Sequence, residues 1–222
     1  MSTTYLFRHK THSFYLTNTN LSYLLQIASY LALFILIVVL SAYQPVSAAP
    51  ATTPVIVVSN NQQQDADHQT DITSAVNSAP PGAHIHITKG TYIVDNPIIL
   101  DTTDVKLVGD GADKTIILAK NANQPVFLLD ANGVSIESVT INALVGDGPG
   151  RASFAILVQE GKRDCKIAQT TIINTAASAI IGRSASGCSL VGNTILNSGD
   201  DGVRLAGDQL TIVDNKIGRA HV

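Results

Sequence analysis

The chain repeats one phrase in close succession: CKIAQTTIIN at residues 165–174, CSLVGNTILN at 188–197 and LTIVDNKI at 210–217. Earlier copies, VKLVGDG and VSIESVTIN, begin at Val105 and Val134. The last three copies begin 23 and 22 residues apart, and each alternates apolar residues with others. A repeat of this period is typical of a solenoid. We therefore predict an all-β fold, a parallel β-helix in which each copy starts one coil.

The composition agrees with a sheet protein and argues against nucleic acid as a partner. Charged residues make up 14% of the chain, against about 25% in an ordinary globular domain. The formal net charge is −3, and no stripe of Lys and Arg is present to displace the counterions of phosphates. We predict no nucleic-acid binding.

Residues 1–48 differ in kind from the repeats. Basic residues at 8–10 precede the apolar run from Ser29 to Tyr43, and small residues follow it. This order predicts a signal peptide that is cleaved before Ala49. The alternative is an uncleaved membrane anchor, because an apolar stretch counted from Leu21 reaches the roughly 20 residues that span a bilayer. Both alternatives predict a secreted, periplasmic or cell-surface protein, with membrane contact only through this segment.

We predict a single β-helix domain over residues 49–217. The strand PVIVVS at 54–59 begins it, and Ile72, Ala75 and Val76 follow helical spacing, which predicts a short capping helix that starts at Asp71 or Thr70. The closing IGRAHV at 217–222 supplies neither a coil nor a cap, and solenoids need capped ends. We therefore expect this tail to be non-native and the domain to be truncated there.

A second strand in each coil sets the faces of the sheet. Aligning PVFLLD, FAILVQ, SAIIGR and DGVRLAG predicts inward columns of Val126, Ile156, Ile180, Val203 and of Leu128, Val158, Gly182, Leu205. The outward columns are then Phe127, Leu157, Ile181, Arg204 and Leu129, Gln159, Arg183, Ala206. We expect any binding or catalytic chemistry on this outward face.

The two cysteines occupy one inward column, with Cys165 stacked on Cys188. Core packing explains both as small apolar residues, so no disulfide is predicted, although an oxidising compartment would permit one. The motif His84-x-His86 places two imidazoles on one strand face with no acid nearby in the sequence, which favours an exposed pair over a metal site.

The order of PGAHIHITKGTY, DVKLVGDGADKTIIL and the stacked Asn193 and Asn215 resembles the pectin-lyase-like right-handed β-helix superfamily. The resemblance covers about residues 54–217 and implies a right-handed coil. It also implies activities on polysaccharides, since that superfamily contains lyases, hydrolases and epimerases together with non-enzymatic adhesins.

The acid pair Asp200-Asp201 is the main chemical candidate, because it precedes the strand that carries Arg204. The pair resembles the acids of polygalacturonase-type hydrolases, but the Asn-Thr-Asp of that family reads Asn-Thr-Ala here, ending at Ala176. We therefore favour a uronate lyase or C5-epimerase over a hydrolase. Asp200, Asp201, Arg204 and Arg183 are then candidate catalytic residues, and Asp200 and Asp201 are also candidate calcium ligands. A solvated Asp-Asp-Gly turn is the structural alternative.

Three further residues are candidates for contact with a polysaccharide: Phe127, Gln159 and Arg151. Arg151 follows the glycine-rich GDGPG, which lengthens its coil and predicts a loop beside a groove. The rival function is a glycan-binding or adhesin-like surface protein, favoured by the outward apolar residues. In either case we expect a monomer, with calcium as the one candidate cofactor.

Overall fold

A computed structural model describes the backbone of residues 5–9, 12–16, 18–42, 53–59, 68–69, 71–144 and 150–218. Side chains are described for 23–36, 53–59, 71–144 and 150–218. The chain divides into two compact units, Met1–Ala51 and Thr52–Val222. The proposed cleavage point before Ala49 and the tail from residue 219 lie outside the described residues.

The first unit contains an antiparallel hairpin and one long helix. Strands β1 (Tyr5–His9) and β2 (His12–Leu16) pair with each other, and α1 spans Asn18–Ala42. Its apolar side chains between residues 23 and 36 are exposed all round, so α1 has no buried face over the residues whose side chains are described. Within the part of the chain that the structure describes, no helix meets the length and hydropathy needed to cross a bilayer.

The second unit opens with the predicted strand and capping helix. Strand β3 (Val55–Val58) pairs with β4 (His68–Gln69), and α2 spans Ile72–Ser78. The Asp71 carboxylate accepts a hydrogen bond of 2.9 Å from the backbone N–H of Thr73, which caps the helix. Ile72, Ala75 and Val76 are buried. The helix therefore packs its apolar face on the coils, as predicted.

Five coils of three strands follow in the described region, and a sixth begins. They are β5 (His84–Ile87), β6 (Gly90–Val94), β7 (Ile98–Leu100); β8 (Lys106–Gly109), β9 (Thr115–Ala119), β10 (Phe127–Leu129); β11 (Ser135–Glu137), β12 (Thr140–Asn142), β13 (Ile156–Val158); β14 (Lys166–Ala168), β15 (Thr171–Ile173), β16 (Ile180–Gly182); β17 (Ser189–Val191), β18 (Thr194–Leu196), β19 (Val203–Leu205); β20 (Thr211–Val213) and β21 (Lys216–Ile217).

Equivalent strands stack into three parallel sheets. The first sheet contains β3, β4 and the first strand of every coil. The second sheet contains the second strands, β6, β9, β12, β15, β18 and β21, and the third sheet contains the third strands, β7, β10, β13, β16 and β19. All pairs within the three sheets are parallel. This arrangement confirms the predicted all-β fold, a parallel β-helix with a short capping helix.

Inward side chains of the three sheets meet in one apolar core. Each coil contributes a stacked position per sheet, and these side chains are at most 1% exposed: Ile136, Ile167 and Leu190; Ile141, Ile172 and Ile195; Phe127, Ile156 and Ile180. Burying one such side chain contributes about 1.5–3 kcal/mol, so the repeated ladders account for most of the stability.

The repeated phrase forms two strands rather than the single strand expected. A left-handed residue bends the chain between the first and second sheets, at Ser138, Gln169, Gly192 and Asp214, with φ between 49° and 65°. Beside this bend the side chain of Asn193 donates a 2.9 Å hydrogen bond to that of Asn215, which confirms the predicted stack. Each coil therefore has three sides, and the third sheet carries the face singled out above.

One predicted strand register is wrong by a single residue. Phe127, not Val126, pairs with Ile156, and Phe127 is fully buried. Leu128 takes the outward position instead. The segment PVFLLD is apolar at every central position, so its faces cannot be assigned from alternation. Phe127 is therefore a core residue and is withdrawn as a substrate contact.

Cys165 and Cys188 form a disulfide, contrary to the prediction of two stacked thiols. Their strands are neighbours in the first sheet, which brings the two Cα atoms to 4.4 Å, within the range that a disulfide spans. The predicted inward stacking itself is confirmed, since both residues are at most 2% exposed. The bond ties two consecutive coils together.

Reduction of this bond is expected to lower the free energy of unfolding by about 3 kcal/mol, because it frees a loop closed over 23 residues. The measurement is denaturant unfolding with and without reductant. The double variant Cys165→Ala/Cys188→Ala is the control, and its midpoint should not respond to reductant. Equal midpoints for the oxidised and reduced wild type would contradict the expectation.

His86 contacts an acid from the next coil, a contact that the sequence did not predict. Its Nε2 lies 2.7 Å from Oδ1 of Asp110, and the backbone N–H of Lys89 donates to Oδ2 at 2.8 Å. These two hydrogen bonds lower the pKa of Asp110 below its ordinary 3.8, and the bond from His86 has the larger effect. A carboxyl whose pKa is lowered by folding stabilises the protein above its unfolded pKa and loses that effect at lower pH.

Asp110→Asn is therefore expected to lower the thermal midpoint by about 1–2 °C at pH 5 to 6, the shift that about 0.5 kcal/mol gives in a domain of this size, because solvent screens this exposed pair. The difference from wild type should shrink as the pH falls from 3.8 towards the lowered native pKa of Asp110, because the unfolded carboxyl becomes protonated first and the native one last. Thermal melts across this range give the measurement. Asp113→Asn, at an exposed acid of the same turn, is the control. A difference that persists at pH 2 would refute the assignment.

Candidate functional site

The outer surface of the third sheet carries two columns of side chains. The central column is Ile99, Leu128, Leu157, Ile181 and Arg204, one residue from each of five strands. The column two residues later, beyond the strand ends, is Asp101, Asp130, Gln159, Arg183 and Ala206. The surface is thus aliphatic along its centre and polar along one edge, and its positive charge lies at the later coils.

Arg204 and Arg183 lie close together on this surface. Arg204 is beside Ile181, and Arg183 is one strand away and two residues beyond it. Strand spacing and rise put their Cα atoms about 8 Å apart. Both side chains are exposed, and neither takes part in any of the ion pairs found among the described residues. Two unneutralised guanidinium groups can therefore converge on one carboxylate.

Gln159 adjoins this pair. It follows Val158, which is the strand neighbour of Gly182, so Gln159 and Arg183 are adjacent across two coils. Gln159 is exposed, and its amide offers both a donor and an acceptor. The structure thus places Gln159, Arg183 and Arg204 on one surface.

Asp200 and Asp201 occupy the turn that joins β18 to β19, at the side of the third sheet where its strands begin. Both are exposed. The backbone carbonyl of Asp201 accepts a 3.0 Å hydrogen bond from the N–H of Ala179, which fixes the turn on the preceding coil. Gly199 packs against the backbone of Ala176, where an added Cβ would lie 2.7 Å from the Ala176 carbonyl carbon and closer still to its oxygen. Only glycine fits this approach, and it holds the acid pair in place.

The acid pair and the arginines flank one stretch of sheet. Asp201 precedes Arg204 by three residues of nearly extended chain, about 10 Å, which a long arginine side chain can partly bridge. Asp200 and Asp201 are oxygen ligands of the kind that calcium takes. The described residues contain no cluster of three or more His, Cys, Asp and Glu side chains suited to a metal ion. A cation at the pair would need further oxygens from backbone, water or ligand.

Arg151 lies apart from the arginine pair. It forms an isolated antiparallel bridge with Leu144, at the base of the glycine-rich segment, between β12 and β13. This is the same corner of the helix as Asp200 and Asp201, two coils earlier. Arg151 is half-buried, so it lines the corner rather than the centre of the third sheet.

Two features of this surface were missed in the sequence. Leu128 replaces Phe127 in the aliphatic column. Asp130, on the polar edge, forms a 3.0 Å ion pair with Lys162, which lies in the equivalent turn of the next coil, after β13. Placing the outward column one residue later in PVFLLD would have identified both residues.

Comparison with solved structures supports the fold. A pectin methylesterase from Erwinia chrysanthemi is 19% identical with a TM-score of 0.50, and the alignment covers 67% of this chain and 56% of that one. A pectin methylesterase in complex with hexasaccharide VII gives 18% identity, a TM-score of 0.52 and the same coverage. This chain therefore spans 56% of the length of those proteins.

A further similar structure is the catalytic unit of a thermostable GH87 alpha-1,3-glucanase from Streptomyces thermodiastaticus, at 16% identity, a TM-score of 0.46 and coverage of 78% and 37%. No protein-family model and no curated protein sequence matches the chain. At these identities the likeness shows the fold. The class that fold and comparisons define is the right-handed parallel β-helix protein.

Proposed function

We propose that this chain is part of an exported β-helix protein that modifies an acidic, uronate-containing polysaccharide as a lyase or C5-epimerase. The observation that carries the proposal is the pair of exposed, unneutralised arginines, Arg183 and Arg204, on the same sheet as the exposed acids Asp200 and Asp201. Export is supported by the apolar leader that contains α1. We propose that the protein acts as a monomer outside the cytoplasmic membrane.

The chemistry begins with neutralisation of the substrate carboxylate. A guanidinium group bound to that carboxylate makes the adjacent C5 proton more acidic, because it stabilises the negative charge left when the proton is removed. The carboxylate of Asp200 or Asp201 accepts this proton as the general base. In a lyase the electron pair forms a C4–C5 double bond and expels the glycosidic oxygen, which takes up a proton. In an epimerase a proton returns to C5 from the opposite face. Calcium bound at Asp200 and Asp201 would add positive charge beside the carboxylate.

Two similar solved structures and the side chains of the third sheet support an acidic polysaccharide as the substrate. The two pectin methylesterase structures share this fold, and one of them holds a hexasaccharide. Arg183, Arg204 and Gln159 offer donors suited to carboxylate and hydroxyl groups. A polygalacturonase-like hydrolysis by Asp200 and Asp201 is less favoured, because Ala176 stands where a third carboxylate would be required.

A glycan-binding or adhesin-like role is the second candidate. It is favoured by the aliphatic column on the third sheet, where Ile99 is 44% exposed and Leu128, Leu157 and Ile181 are half-buried. Four aliphatic side chains in line suit contact with sugar rings or with a protein partner better than they suit proton transfer. This role predicts binding without turnover.

The test is incubation of the purified protein with polygalacturonate, polymannuronate and polyguluronate, each with calcium or with a chelator, and with a neutral glucan as control. We expect turnover of a uronate polymer only. A lyase product absorbs in the ultraviolet, an epimerase incorporates deuterium at C5 from heavy water, and a hydrolase yields reducing ends with neither signal. Binding of a uronate polymer with none of these products would replace the enzyme proposal with the adhesin-like role.

A further inference from the structure

The outward face of the first sheet carries a polar column distant from the acid pair. In four neighbouring strands, His84, Lys106, Ser135 and Lys166 stand in register. Their chain neighbours on either side point into the core, so these four side chains point outward. Sequence alignment of the repeats places the last three in one column, but the sequence alone gives them no common purpose.

Two atoms of this column are buried without a hydrogen-bond partner. The Ser135 side chain is 3% exposed, and its Oγ has no partner among the described residues. The same holds for Nε2 of His84, in a residue that is itself half-buried. Native proteins satisfy the large majority of buried polar groups, because each one left unpaired costs about 1–3 kcal/mol. The two atoms stand on either side of Lys106, in strands about 10 Å apart, so successive groups of one chain-like ligand can reach both.

The column supplies donors spaced for a negatively charged chain. Lys106 and Lys166 are two strands apart, about 10 Å, and both are exposed. Lys166 Nζ lies 3.0 Å from each carboxylate oxygen of Glu137, which leaves at least one of its three donors for a ligand. The Ser135 hydroxyl donates, and Nε2 of His84 donates in one tautomer or when protonated. Hydrogen-bond donors thus predominate around Ser135. This excess of donors favours binding of an oxyanion.

We propose that His84, Lys106, Ser135 and Lys166 form an oxyanion site for the carboxylate or sulfate groups of an acidic glycan, separate from the third sheet. The choice of a glycan rests on the proposed function, whereas the oxyanion chemistry rests on the column alone. A polymer held here occupies a second side of the β-helix. The site then adds affinity for long chains without taking part in turnover.

The experiment is an NMR and calorimetric titration of the full chain with hexagalacturonate, with a sulfated hexasaccharide and with inorganic sulfate. The variants are Ser135→Ala and Lys106→Gln, with Ser189→Ala, two strands further along the same column, as the matched control. Loss of one hydrogen bond to a charged group corresponds to about tenfold weaker binding. Ser135→Ala should show this loss while its thermal midpoint stays equal to or above that of wild type, since an unpaired hydroxyl is removed.

The outcomes separate this site from the proposed function. Chemical shifts confined to the third sheet, or equal affinities for Ser135→Ala and wild type, overturn the second site and leave the proposed function standing. Shifts at Ser135 and Lys106 with inorganic sulfate or a hexasaccharide, abolished by Lys106→Gln, support the site even if no uronate is turned over. Preference for the sulfated over the uronate hexasaccharide identifies sulfate as the recognised group. No shift at the column with any probe overturns the inference.

Discussion

Phe127→Ala is expected to lower the free energy of unfolding by about 3–5 kcal/mol, the cost of removing a large side chain from a packed core. Phe127 is fully buried and stacks between Ile98 and Ile156 in the third sheet. The cavity it leaves cannot collapse easily, because both neighbouring coils are held by their own backbone hydrogen bonds. This is the largest stability effect expected of a single substitution in the third sheet.

Leu128→Ala is the matched control, since Leu128 is adjacent, apolar and outward. It should cost about 1 kcal/mol, because a half-buried side chain loses only part of its apolar contact. Denaturant unfolding of both variants gives the comparison. A larger loss for Leu128→Ala than for Phe127→Ala would mean that the faces of β10 are inverted, and with them the aliphatic column.

Asp201→Asn is expected to reduce turnover of the uronate substrate by at least about 100-fold while leaving the fold intact. A neutral amide can neither transfer a proton nor hold a cation as a carboxylate does, and a well-placed acid or base contributes about 10²–10⁴-fold. Asp201 is exposed, so the change leaves no cavity. The measurement is the initial rate on the polymer that wild type prefers, at several calcium concentrations.

Asp208→Asn is the control, because it removes the same charge from another exposed acid of the same coil, in the turn after β19. It should retain wild-type turnover. Recovery of Asp201→Asn at high calcium would assign Asp201 to the cation rather than to proton transfer. Equal rates for the two variants would remove the acid pair from the site.

The fold was predictable because every coil of a solenoid repeats the same sequence pattern. Five copies of one phrase define the coils, and the helical spacing after Asp71 defines the cap. The prediction failed where one segment lacks the alternation of apolar and polar residues that assigns side chains to faces. PVFLLD has no alternation, so Phe127 and Leu128 could be assigned to faces only through pairing with β13. The bend between the first two sheets was missed because its left-handed residue differs in every coil, from Ser138 to Gly192.

The candidate site was predictable only in part. Arg183, Arg204 and Gln159 share a surface because strand parity places them there, and the turn at Asp200 follows from the glycines on either side. Contacts between coils were not predictable. The bond between Cys165 and Cys188 depends on oxidation as well as on spacing, and Asp110 reaches His86 from a turn of the next coil whose path the sequence does not define.

The most direct test is a titration of methyl-labelled protein with a hexauronate, followed by NMR. Methyl groups of Leu128, Leu157 and Ile181 report on the outer surface of the third sheet, and those of Ile93 and Leu118 report on the second sheet. We predict saturable shifts at Leu157 and Ile181, nearest the two arginines, that are lost in Arg204→Gln. Shifts confined to the second sheet, or none at millimolar hexauronate, would contradict the proposal that this protein acts on uronate polymers at the third sheet.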